Sequence, residues 1–321
     1  MASSLCLLFD LALLPAALVV VAGRFGQHDW LLEMTNYFRP HIAALALLFV
    51  VLAVATGSRP RMAASVLIFG AALLPLFFTS LPKAAAAAEG NFRLMTANVL
   101  RTNRDFERFQ QRVAEAGPDV VVMQEATARW RSTATSLPGL VHVTAPDALS
   151  TVVVASRFPI RSAPVELEPG VTPSPMTGGA RAIRVEIDRP DATRKLVLYA
   201  VHAPTTRRAR GWEARNAYLA AIAERVRQEP DDTDVIMAGD WNTAFWSPTL
   251  ASVLTLSGLA TTEPGAWPPP TRFFREAGVP PALGTPIDRI TVSKGIGLAS
   301  IAVGADFGSD HLPVTAALAL P

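Results

Sequence analysis

The chain has 321 residues and a mass of 34.2 kDa, with half of its residues hydrophobic, 17% charged and a mean hydropathy of +0.29. Only nine of its 56 Asp, Glu, Lys and Arg residues fall within positions 1–90. This distribution excludes a disordered chain and a fold built only of membrane helices, and it predicts a membrane region followed by a soluble domain.

Three apolar segments lie in the N-terminal third, and each is close to the ~20 residues that a helix needs to cross a bilayer. A cleaved signal peptide is the alternative reading of the first segment, but residues 1–5 contain no Lys or Arg, whereas signal peptides begin with a basic region. We therefore expect residues 1–90 to form a membrane domain with transmembrane helices at about residues 5–23, 42–57 and 62–81.

The orientation in the membrane is predicted from the basic residues of the connecting segments. Arg59 and Arg61 lie in the short link between the second and third apolar segments, which the positive-inside rule places in the cytoplasm. Three spans then put the C-terminal domain on the other side, although Lys83 and Arg93 argue for the opposite orientation. The balance favours a soluble domain outside the cytoplasm.

A run of five alanines, residues 84–88, separates the two regions, and we expect it to extend the third helix until Gly90 ends it. The segments that follow, within residues 91–321, alternate between two patterns. Helical periodicity occurs at residues 105–117 and 211–228. Strands are predicted at residues 92–99, 119–124, 151–156, 182–187, 195–202, 234–238, 287–292, 300–303 and 313–320.

These elements predict the architecture of one soluble domain. Some predicted strands follow a helix and others follow a strand directly, which indicates sheets covered by helices with some antiparallel neighbours. The 231 residues of this region are near the upper limit for a single core. Residues 258–284 are rich in proline, and we expect a long surface loop there.

The charge of the predicted soluble domain restricts its partners. It carries 24 basic and 23 acidic residues, so its charge is nearly balanced. A domain that holds long duplex DNA by electrostatics usually has a larger basic excess. The single cysteine, Cys6, lies in the first apolar segment and excludes both an intrachain disulfide and a zinc site built on cysteines.

Polar side chains follow or interrupt the apolar strands of this domain. Strand ends in layered α/β folds project side chains into a common cleft. The residue types suit a hard, oxygen-preferring cation such as Mg²⁺ or Mn²⁺, with His and Asp available for proton transfer. The candidate residues are Asn98, Glu125, His202, Asp240, Asn242, Asp288, Asp310 and His311.

Six short motifs in this order resemble the endonuclease/exonuclease/phosphatase superfamily. Each motif alone is a weak signal, but the ordered set is specific, and the similarity extends over residues 91–321. The segment GDWNTAFWSP is further similar to membrane-anchored bacterial members. The motifs are Asn98-Val99, Gln124-Glu125, HAP from His202, GDWN from Gly239, Ile287-Asp288 and SDH from Ser309.

The resemblance implies a four-layered α/β sandwich, in which two β-sheets pack face to face with helices outside, preceded here by about three transmembrane helices. It also implies Mg²⁺- or Mn²⁺-dependent hydrolysis of a phosphate ester by direct attack of water. Glu125 would be the main metal ligand, with Asn98 and Asp310 close to the metal or its waters.

The resemblance also assigns the catalytic roles. Asp240 would orient or deprotonate the attacking water, and Asn242 would hold this water and a phosphate oxygen. His202 would donate a hydrogen bond to a phosphoryl oxygen. Asp288 would pair with His311, which fixes the tautomer of the imidazole and raises its basicity.

Two basic residues are candidates for substrate binding. Arg207 and Arg208 follow His202 and suit contacts with substrate phosphates. The alternative is that they form a solvated helix entry.

We therefore expect a membrane-anchored phosphoester hydrolase, with a nuclease-like phosphodiesterase favoured. The alternatives are a lipid or inositol phosphate phosphatase of the sphingomyelinase kind, and an inactive membrane scaffold. The expected partners are a phosphate-ester substrate (a nucleic acid, a phospholipid or an inositol phosphate) and the lipid bilayer. The sequence indicates no obligate protein partner. The predicted location is a bacterial inner membrane, with the catalytic domain in the periplasm.

Overall fold

The structure, a computed structural model, describes residues 2–144, 150–174, 176–190, 192–263 and 267–321. Its helices are α1 (Ala2–Ala22), α2 (Trp30–Tyr37), α3 (Arg39–Thr56), α4 (Arg59–Phe78), α5 (Phe106–Ala116), α6 (Ala128–Ala134), α7 (Ala209–Arg227) and α8 (Pro248–Ser257). Its strands are β1 (Ala85–Ala86), β2 (Phe92–Asn98), β3 (Val120–Gln124), β4 (His142–Val143), β5 (Val153–Ser156), β6 (Ile160–Pro164), β7 (Ala180–Ile187), β8 (Lys195–His202), β9 (Thr233–Asp240), β10 (Ala260–Thr261), β11 (Asp288–Val292), β12 (Gly297–Val303) and β13 (Val314–Ala319).

The chain divides into two compact units. The first contains Met1–Ser80 together with Thr243–Leu250 and a short stretch that ends at Trp267. The second contains the remaining residues from Leu81 onwards. The first unit is therefore built mainly from the apolar N-terminal third, but it also includes a segment that is distant in the sequence.

The first unit contains the apolar helices. Helices α3 and α4 are each long and apolar enough to cross a membrane, and they lie where the second and third spans were predicted. The segment from Phe9 through α2 bends by 103° and counts as at most one further span. Asp10 forms a bidentate ion pair with Arg61, with oxygen–nitrogen distances of 2.8 and 2.6 Å. This pairing neutralises both charges at the apolar helices.

The second unit contains two mixed sheets. The first sheet has seven strands in the order β1-β12-β13-β2-β3-β5-β4, and the second has six in the order β10-β11-β9-β8-β7-β6. The pairs β2–β3, β8–β9 and β1–β12 are parallel, and the other pairs are antiparallel. The predicted fold class, two sheets flanked by helices, is confirmed.

Alternation along the strands separates two apolar cores. Leu94 and Val122 of the first sheet share a buried cluster with Leu198 and Ile236 of the second sheet. Their chain neighbours in β2 and β3 point the other way, because successive side chains of a strand face opposite sides. They form a second cluster with α5 and α6 that contains Met95, Val121, Met123, Phe109, Val113, Trp130 and Phe307.

Helix α7 is tied to the second sheet through the residue Glu229, which follows the end of the helix. The Tyr199 hydroxyl of β8 donates to Oε1 of Glu229 over 2.6 Å, and Nε of Arg184 in β7 donates to the same oxygen over 2.6 Å. Burial opposes ionisation of Glu229, but Arg184 and Tyr199 outweigh it and lower the pKa of this carboxyl. These contacts hold the helix on the strands that carry part of the site described below.

The alanine run does not extend a helix, contrary to the prediction. Helix α4 ends at Phe78, and Ala85–Ala86 forms strand β1, parallel to β12. The backbone N–H groups of Ala84 and Ala87 donate to the carbonyls of Thr261 and Leu298, each over 2.9 Å. Pro82 interrupts any helix at this point, and pairing at the sheet edge then outweighs the helix propensity of alanine.

The prediction of a long surface loop at residues 258–284 is also wrong in part. Strand β10 and two short 3₁₀ turns, Arg275–Ala277 and Pro281–Leu283, lie within it, and residues 264–266 fall outside the described part of the chain. Thr262 and Thr271 are buried. The segment therefore contributes interior contacts, and one of them supports the candidate site.

Candidate active site

The register of the two sheets brings the predicted polar residues to neighbouring strand ends. Asn98 pairs with Gln124 at the ends of the parallel strands β2 and β3. His202 pairs with Asp240 at the ends of the parallel strands β8 and β9. Asp240 also pairs with Asp288, which begins the antiparallel strand β11. Side chains from both sheets converge because their strands end on the same side of the molecule, as the contacts below show.

The glycine of the GDWN motif allows two of these strands to approach. Gly239 has φ of 146°, and a Cβ atom at this position would lie 1.9 Å from the carbonyl oxygen of Val201. Any larger residue would push β9 away from β8. Gly239 thereby sets the position of Asp240, the next residue.

Residues with a left-handed backbone conformation mark the same site, independently of the sequence motifs. Within the described chain, the non-glycine residues with positive φ are Leu100, Glu125 and Asn242, at 56°, 57° and 47°. Each lies one or two residues beyond the end of β2, β3 or β9. Such conformations cost about 1–3 kcal/mol each and persist where surrounding contacts impose them, often at functional sites. The backbone strain therefore lies at the turns that carry the candidate residues.

His311 and Asp288 form the closest polar pair of the site. Nδ1 of His311 lies 2.8 Å from Oδ2 of Asp288, and both residues are buried. Nε2 of the same ring lies 3.8 Å from Oδ2 of Asp240 and 4.0 Å from Oδ1 of Asp310. Burial lowers the pKa of His311, but Asp288, Asp240 and Asp310 outweigh it and raise the pKa to about 9. The imidazole is therefore cationic at neutral pH.

Asp240 lies at the centre of the cluster. Its Oδ1 accepts the backbone N–H of Asn242 over 2.9 Å, and its Oδ2 accepts Nδ2 of Asn98 over 3.1 Å. Nε2 of His202 is 3.8 Å from Oδ2. Burial and the neighbouring Asp288 raise the pKa of Asp240 against the opposing effects of the two histidines and the Asn242 N–H. Such a carboxylate accepts a proton more readily than that of an ordinary aspartate.

Glu125 has the opposite electrostatic environment. Burial disfavours its charge, but His202, the backbone N–H of Arg101, Asn98 and His311 together lower the pKa of Glu125. The Arg101 N–H donates to Oε2 over 3.1 Å, and Nδ2 of Asn98 donates to Oε1 over 3.3 Å. Glu125 therefore stays ionised, as a ligand for a divalent cation must.

Two groupings of these side chains are suited to a cation. In one, Glu125 and Asp240 both accept hydrogen bonds from Nδ2 of Asn98, so a cation that replaced this donor would contact two carboxylates. In the other, ligand atoms of Asp240, Asp288 and His311 lie within 4.8 Å of one another. The second grouping already uses Nδ1 of His311 in its bond to Asp288. Because Mg²⁺ prefers oxygen ligands, the grouping around Glu125 fits it better.

Asn242 is held from three directions. Its N–H donates to Asp240, its Nδ2 donates to the carbonyl of Ala203 over 3.0 Å, and its carbonyl accepts Nη1 of the buried Arg215 over 3.2 Å. Trp241 is completely buried. It therefore offers no surface for stacking on a substrate.

Sequence reasoning missed Thr271 and Arg272. The hydroxyl oxygen of Thr271 accepts the backbone N–H groups of Ile287 and Asp288 over 3.0 and 3.1 Å, which fixes the start of β11. Nη2 of Arg272 lies 3.4 Å from Oδ2 of Asp310, so a cation borders the cluster. Both residues lie in a proline-rich segment whose sequence shows neither helix nor strand periodicity. The charge of Arg272 was the single signal that could have indicated a functional residue there.

Arg207 and Arg208, the predicted substrate-binding residues, are exposed just before α7. In the part of the chain that the structure describes, neither side chain forms a hydrogen bond or an ion pair. The structure thus brings together the eight predicted catalytic and metal-binding residues through the contacts above, but not these two arginines. They face solvent next to the turn that follows His202.

Comparisons with known proteins concern the fold and the family of the chain. A model of the Endonuclease/Exonuclease/phosphatase family matches residues 95–311. An endonuclease/exonuclease/phosphatase from Beutenbergia cavernae is 22% identical, with a TM-score of 0.53 and coverage of 72% of each chain. One from Bacteroides vulgatus is 16% identical, with a TM-score of 0.56, covering 72% of this chain and 99% of that one.

A third similar structure is D. rerio TDP2 complexed with a single-strand DNA product, which is 16% identical, with a TM-score of 0.57 and coverage of 71% of this chain and 98% of that one. No curated protein matches the chain. The structural similarities show the same fold, and the family model extends over about two thirds of the sequence. The chain therefore belongs to the endonuclease/exonuclease/phosphatase family, whose members are generally phosphoester hydrolases.

Proposed function

We propose that the protein is a membrane-anchored, divalent-metal-dependent phosphoester hydrolase. The observation that carries this proposal is the contrast between two neighbouring carboxyl groups. Glu125 has a lowered pKa and Asp240 a raised pKa, and Asn98 donates to both. The first carboxyl is favoured as a metal ligand and the second as a proton acceptor, and both roles suit metal-assisted hydrolysis.

Mg²⁺ or Mn²⁺ is the proposed cofactor. Glu125 would be its main ligand, with Asn98 and Asp310 close to the ion or its waters. The oxygen of Asp288 that does not face His311, Oδ1, is buried and has no hydrogen-bond partner, which adds to the negative potential of the cluster. A bound divalent cation would neutralise the charge that develops on the phosphoryl oxygens.

Asp240 and Asn242 would act on the attacking water. The raised pKa of Asp240 brings its carboxylate closer to the basicity needed to accept a proton from water. The Asn242 N–H holds Oδ1 of Asp240, so Oδ2 faces the cluster. Asn242 would hold the water and a phosphate oxygen through its side chain.

His202 and His311 would stabilise the transition state. Both present Nε2 at 3.8 Å from Oδ2 of Asp240, so a phosphoryl group bound beside this oxygen lies within reach of two imidazoles. Asp288 fixes the Nδ1 proton of His311 and keeps its Nε2 directed at the reacting group. A cationic donor of this kind is worth more in the transition state than in the ground state.

A nuclease-like phosphodiesterase is the favoured activity. Family membership supports it, and a fold relative holds a single-strand DNA product. The nearly balanced charge of residues 91–321 fits short or single-stranded substrates better than tightly held duplex DNA. Arg272 and the exposed Arg207 and Arg208 would contact substrate phosphates away from the cleaved bond.

A lipid or inositol phosphate hydrolase of the sphingomyelinase kind is the second candidate. It is favoured by the apolar helices α3 and α4, which would keep the enzyme at a bilayer. We propose that residues 1–90 anchor the protein in a bacterial inner membrane by several spans. Residues 91–321 would then form a periplasmic catalytic domain, because Arg59 and Arg61 favour a cytoplasmic link between α3 and α4.

The test uses the full chain, purified in detergent, because the structure does not show that residues 91–321 fold alone. Plasmid DNA, sphingomyelin and inositol phosphates are assayed side by side with Mg²⁺, and the Asp240→Asn variant is the control. DNA cleavage by the wild type alone supports the favoured activity. If phosphocholine or phosphate is released while the plasmid stays intact, the lipid or inositol phosphate hydrolase replaces the nuclease-like phosphodiesterase. If no substrate yields a product, an inactive scaffold is favoured.

A further inference from the structure

A buried ion pair lies next to the candidate active site, within the second unit. Arg289 directly follows Asp288 in β11 and is 1% exposed, and Glu263, which lies two residues beyond β10, is 8% exposed. Nη1 of Arg289 donates to Oε1 of Glu263 over 2.6 Å. The reaction steps proposed above use neither residue.

A buried ion pair of this kind adds little net stability. Moving two charges out of water costs free energy that their attraction only about repays, so apolar side chains of similar size often stabilise a fold as well or better. The cost of burial is visible at Glu263, whose pKa it raises against the opposing effect of Arg289. We therefore expect the pair to matter more for the geometry of the neighbouring backbone than for stability.

Arg289 holds the turn that leads into β11. Its Nη2 donates to the carbonyl oxygen of Pro286 over 3.0 Å, so the guanidinium group that binds the carboxylate also reaches the residue two positions before Asp288. The N–H groups of Ile287 and Asp288 donate to the hydroxyl oxygen of Thr271 over 3.0 and 3.1 Å. The turn is therefore held by two side chains, those of Arg289 and Thr271.

Glu263 is itself fixed to the second sheet. Its N–H donates to Oγ1 of Thr261 over 3.3 Å, and Thr261 pairs with β11 as part of β10. The hydroxyl of the buried Thr262 donates to the carbonyl of Ile290 in β11 over 2.6 Å. Glu263 is therefore a fixed point at the edge of the sheet, and from this point it holds Arg289.

Arg289 can act on the site only through the backbone. Successive side chains of a strand face opposite sides of the sheet, so the side chain of Arg289 faces away from that of Asp288. Asp288 presents Oδ2 to Nδ1 of His311 at 2.8 Å. Arg289 also pairs with Gly239 of β9, next to the pair formed by Asp288 and Asp240. A shift of the backbone at Arg289 would therefore displace Asp288 relative to both His311 and Asp240.

We propose that Glu263 and Arg289 are positioning residues for Asp288 and, through Asp288, for His311. The ion pair fixes the turn before β11, the turn fixes the Asp288 carboxylate, and the carboxylate sets the direction in which His311 presents Nε2. Neither Glu263 nor Arg289 touches the reacting groups. Their contribution to catalysis rests on the function proposed above, whereas their effect on the backbone at Asp288 does not depend on it.

The test uses variants of the full chain in detergent. Glu263→Met combined with Arg289→Met replaces the pair by apolar side chains, so this double variant should melt close to the wild-type temperature. Glu263→Gln is the milder variant. The matched control is Arg194→Met combined with Asp234→Leu, which removes an ion pair of 3.0 Å at the start of β9, the end opposite Asp240.

Hydrogen exchange at the N–H groups of Ile287 and Asp288 gives a readout that does not depend on activity. Both should exchange at least about tenfold faster in the double variant, by the loss of local protection, and at the wild-type rate in the control. Glu263→Gln should accelerate them at least about threefold, because a neutral acceptor holds a guanidinium group more weakly than a carboxylate does.

The kinetic readout separates positioning from substrate binding. The double variant should lower kcat about tenfold and leave KM within about twofold, because small misplacements of a catalytic group cost up to about 100-fold in rate. If the wild type hydrolyses no substrate, the proposed function fails and hydrogen exchange alone decides the positioning of Asp288.

Three results overturn the proposal. The first is wild-type exchange at Ile287 and Asp288 in the folded double variant, or in Glu263→Gln if the double variant does not fold. The second is equal acceleration of this exchange in the control, which would show general loosening of the sheet. The third is a kcat of the folded double variant within about twofold of that of an active wild type.

Discussion

Replacing Asp288 by Asn tests the electrostatics of the cluster most closely. The carboxylate is the largest influence that raises the pKa of His311, and the pKa of about 9 lies above the ordinary 6.5. This gap corresponds to about 3 kcal/mol in favour of the charged imidazole in the folded protein. Burial lowers the pKa of His311, and in the Asp288→Asn variant only the carboxylates of Asp240 and Asp310 oppose this effect.

We expect Asp288→Asn to lower the pKa of His311 by about 1–3 pH units, the range caused by one close opposite charge. The sign follows from linkage. Because the folded pKa is raised, the contribution of His311 to stability is complete below about pH 6.5 and disappears as the pH rises through about 9. The variant should therefore lose stability relative to the wild type below pH 6.5 and approach it at alkaline pH.

The assay is NMR of the full chain in detergent with histidine labelled at Cε1 and with EDTA present. The chain has five histidines, so five signals are titrated, and His311→Asn assigns the relevant one. Asp188→Asn, at an exposed aspartate that directly follows β7, is the matched control and should leave the titration unchanged. A pKa of His311 that stays near 9 in Asp288→Asn would refute the reasoning.

Further predictions concern the other side chains. Asp240→Asn should lower kcat by about 10²–10⁴ at unchanged thermal stability, measured with a chromogenic phosphodiester, and near-native activity would remove Asp240 from the mechanism. Glu125→Gln should raise the Mg²⁺ concentration at half-maximal rate by at least about tenfold, whereas an unchanged metal titration contradicts its role as ligand. Arg272→Ala should raise KM more than it lowers kcat. For the double variant Arg207→Ala with Arg208→Ala, the plot of the logarithm of the substrate-binding constant against the logarithm of the salt concentration should become shallower by about one to two in slope. An unchanged slope would mean that both residues only form a solvated entry to helix α7.

The polar residues at strand ends could be predicted from the sequence because local patterns determine where a strand stops. Asn98, His202 and Asp240 each end an apolar run, and parallel neighbours align such ends at one edge of a sheet. The contact between Asp288 and His311 followed from the family resemblance and is present at 2.8 Å.

Other features depend on contacts between distant residues and leave no local pattern. The backbone at Glu125 is left-handed although the residue is not glycine, and Arg101 and Asn98 hold it there. Strand β1 forms from alanines because the edge of β12 is available. Glu263 and Arg289 are 26 positions apart, so no periodicity links them.

The most direct test of the central claim is hydrolysis of bis-(p-nitrophenyl) phosphate by the purified full chain as Mg²⁺ is added after EDTA treatment, for the wild type and for Asp240→Asn. Our account predicts that the wild type releases p-nitrophenol in proportion to bound Mg²⁺ and that Asp240→Asn, folded to the same melting temperature, releases at most about 1% as much. Hydrolysis that persists in EDTA, or that Asp240→Asn catalyses as fast as the wild type, would contradict it.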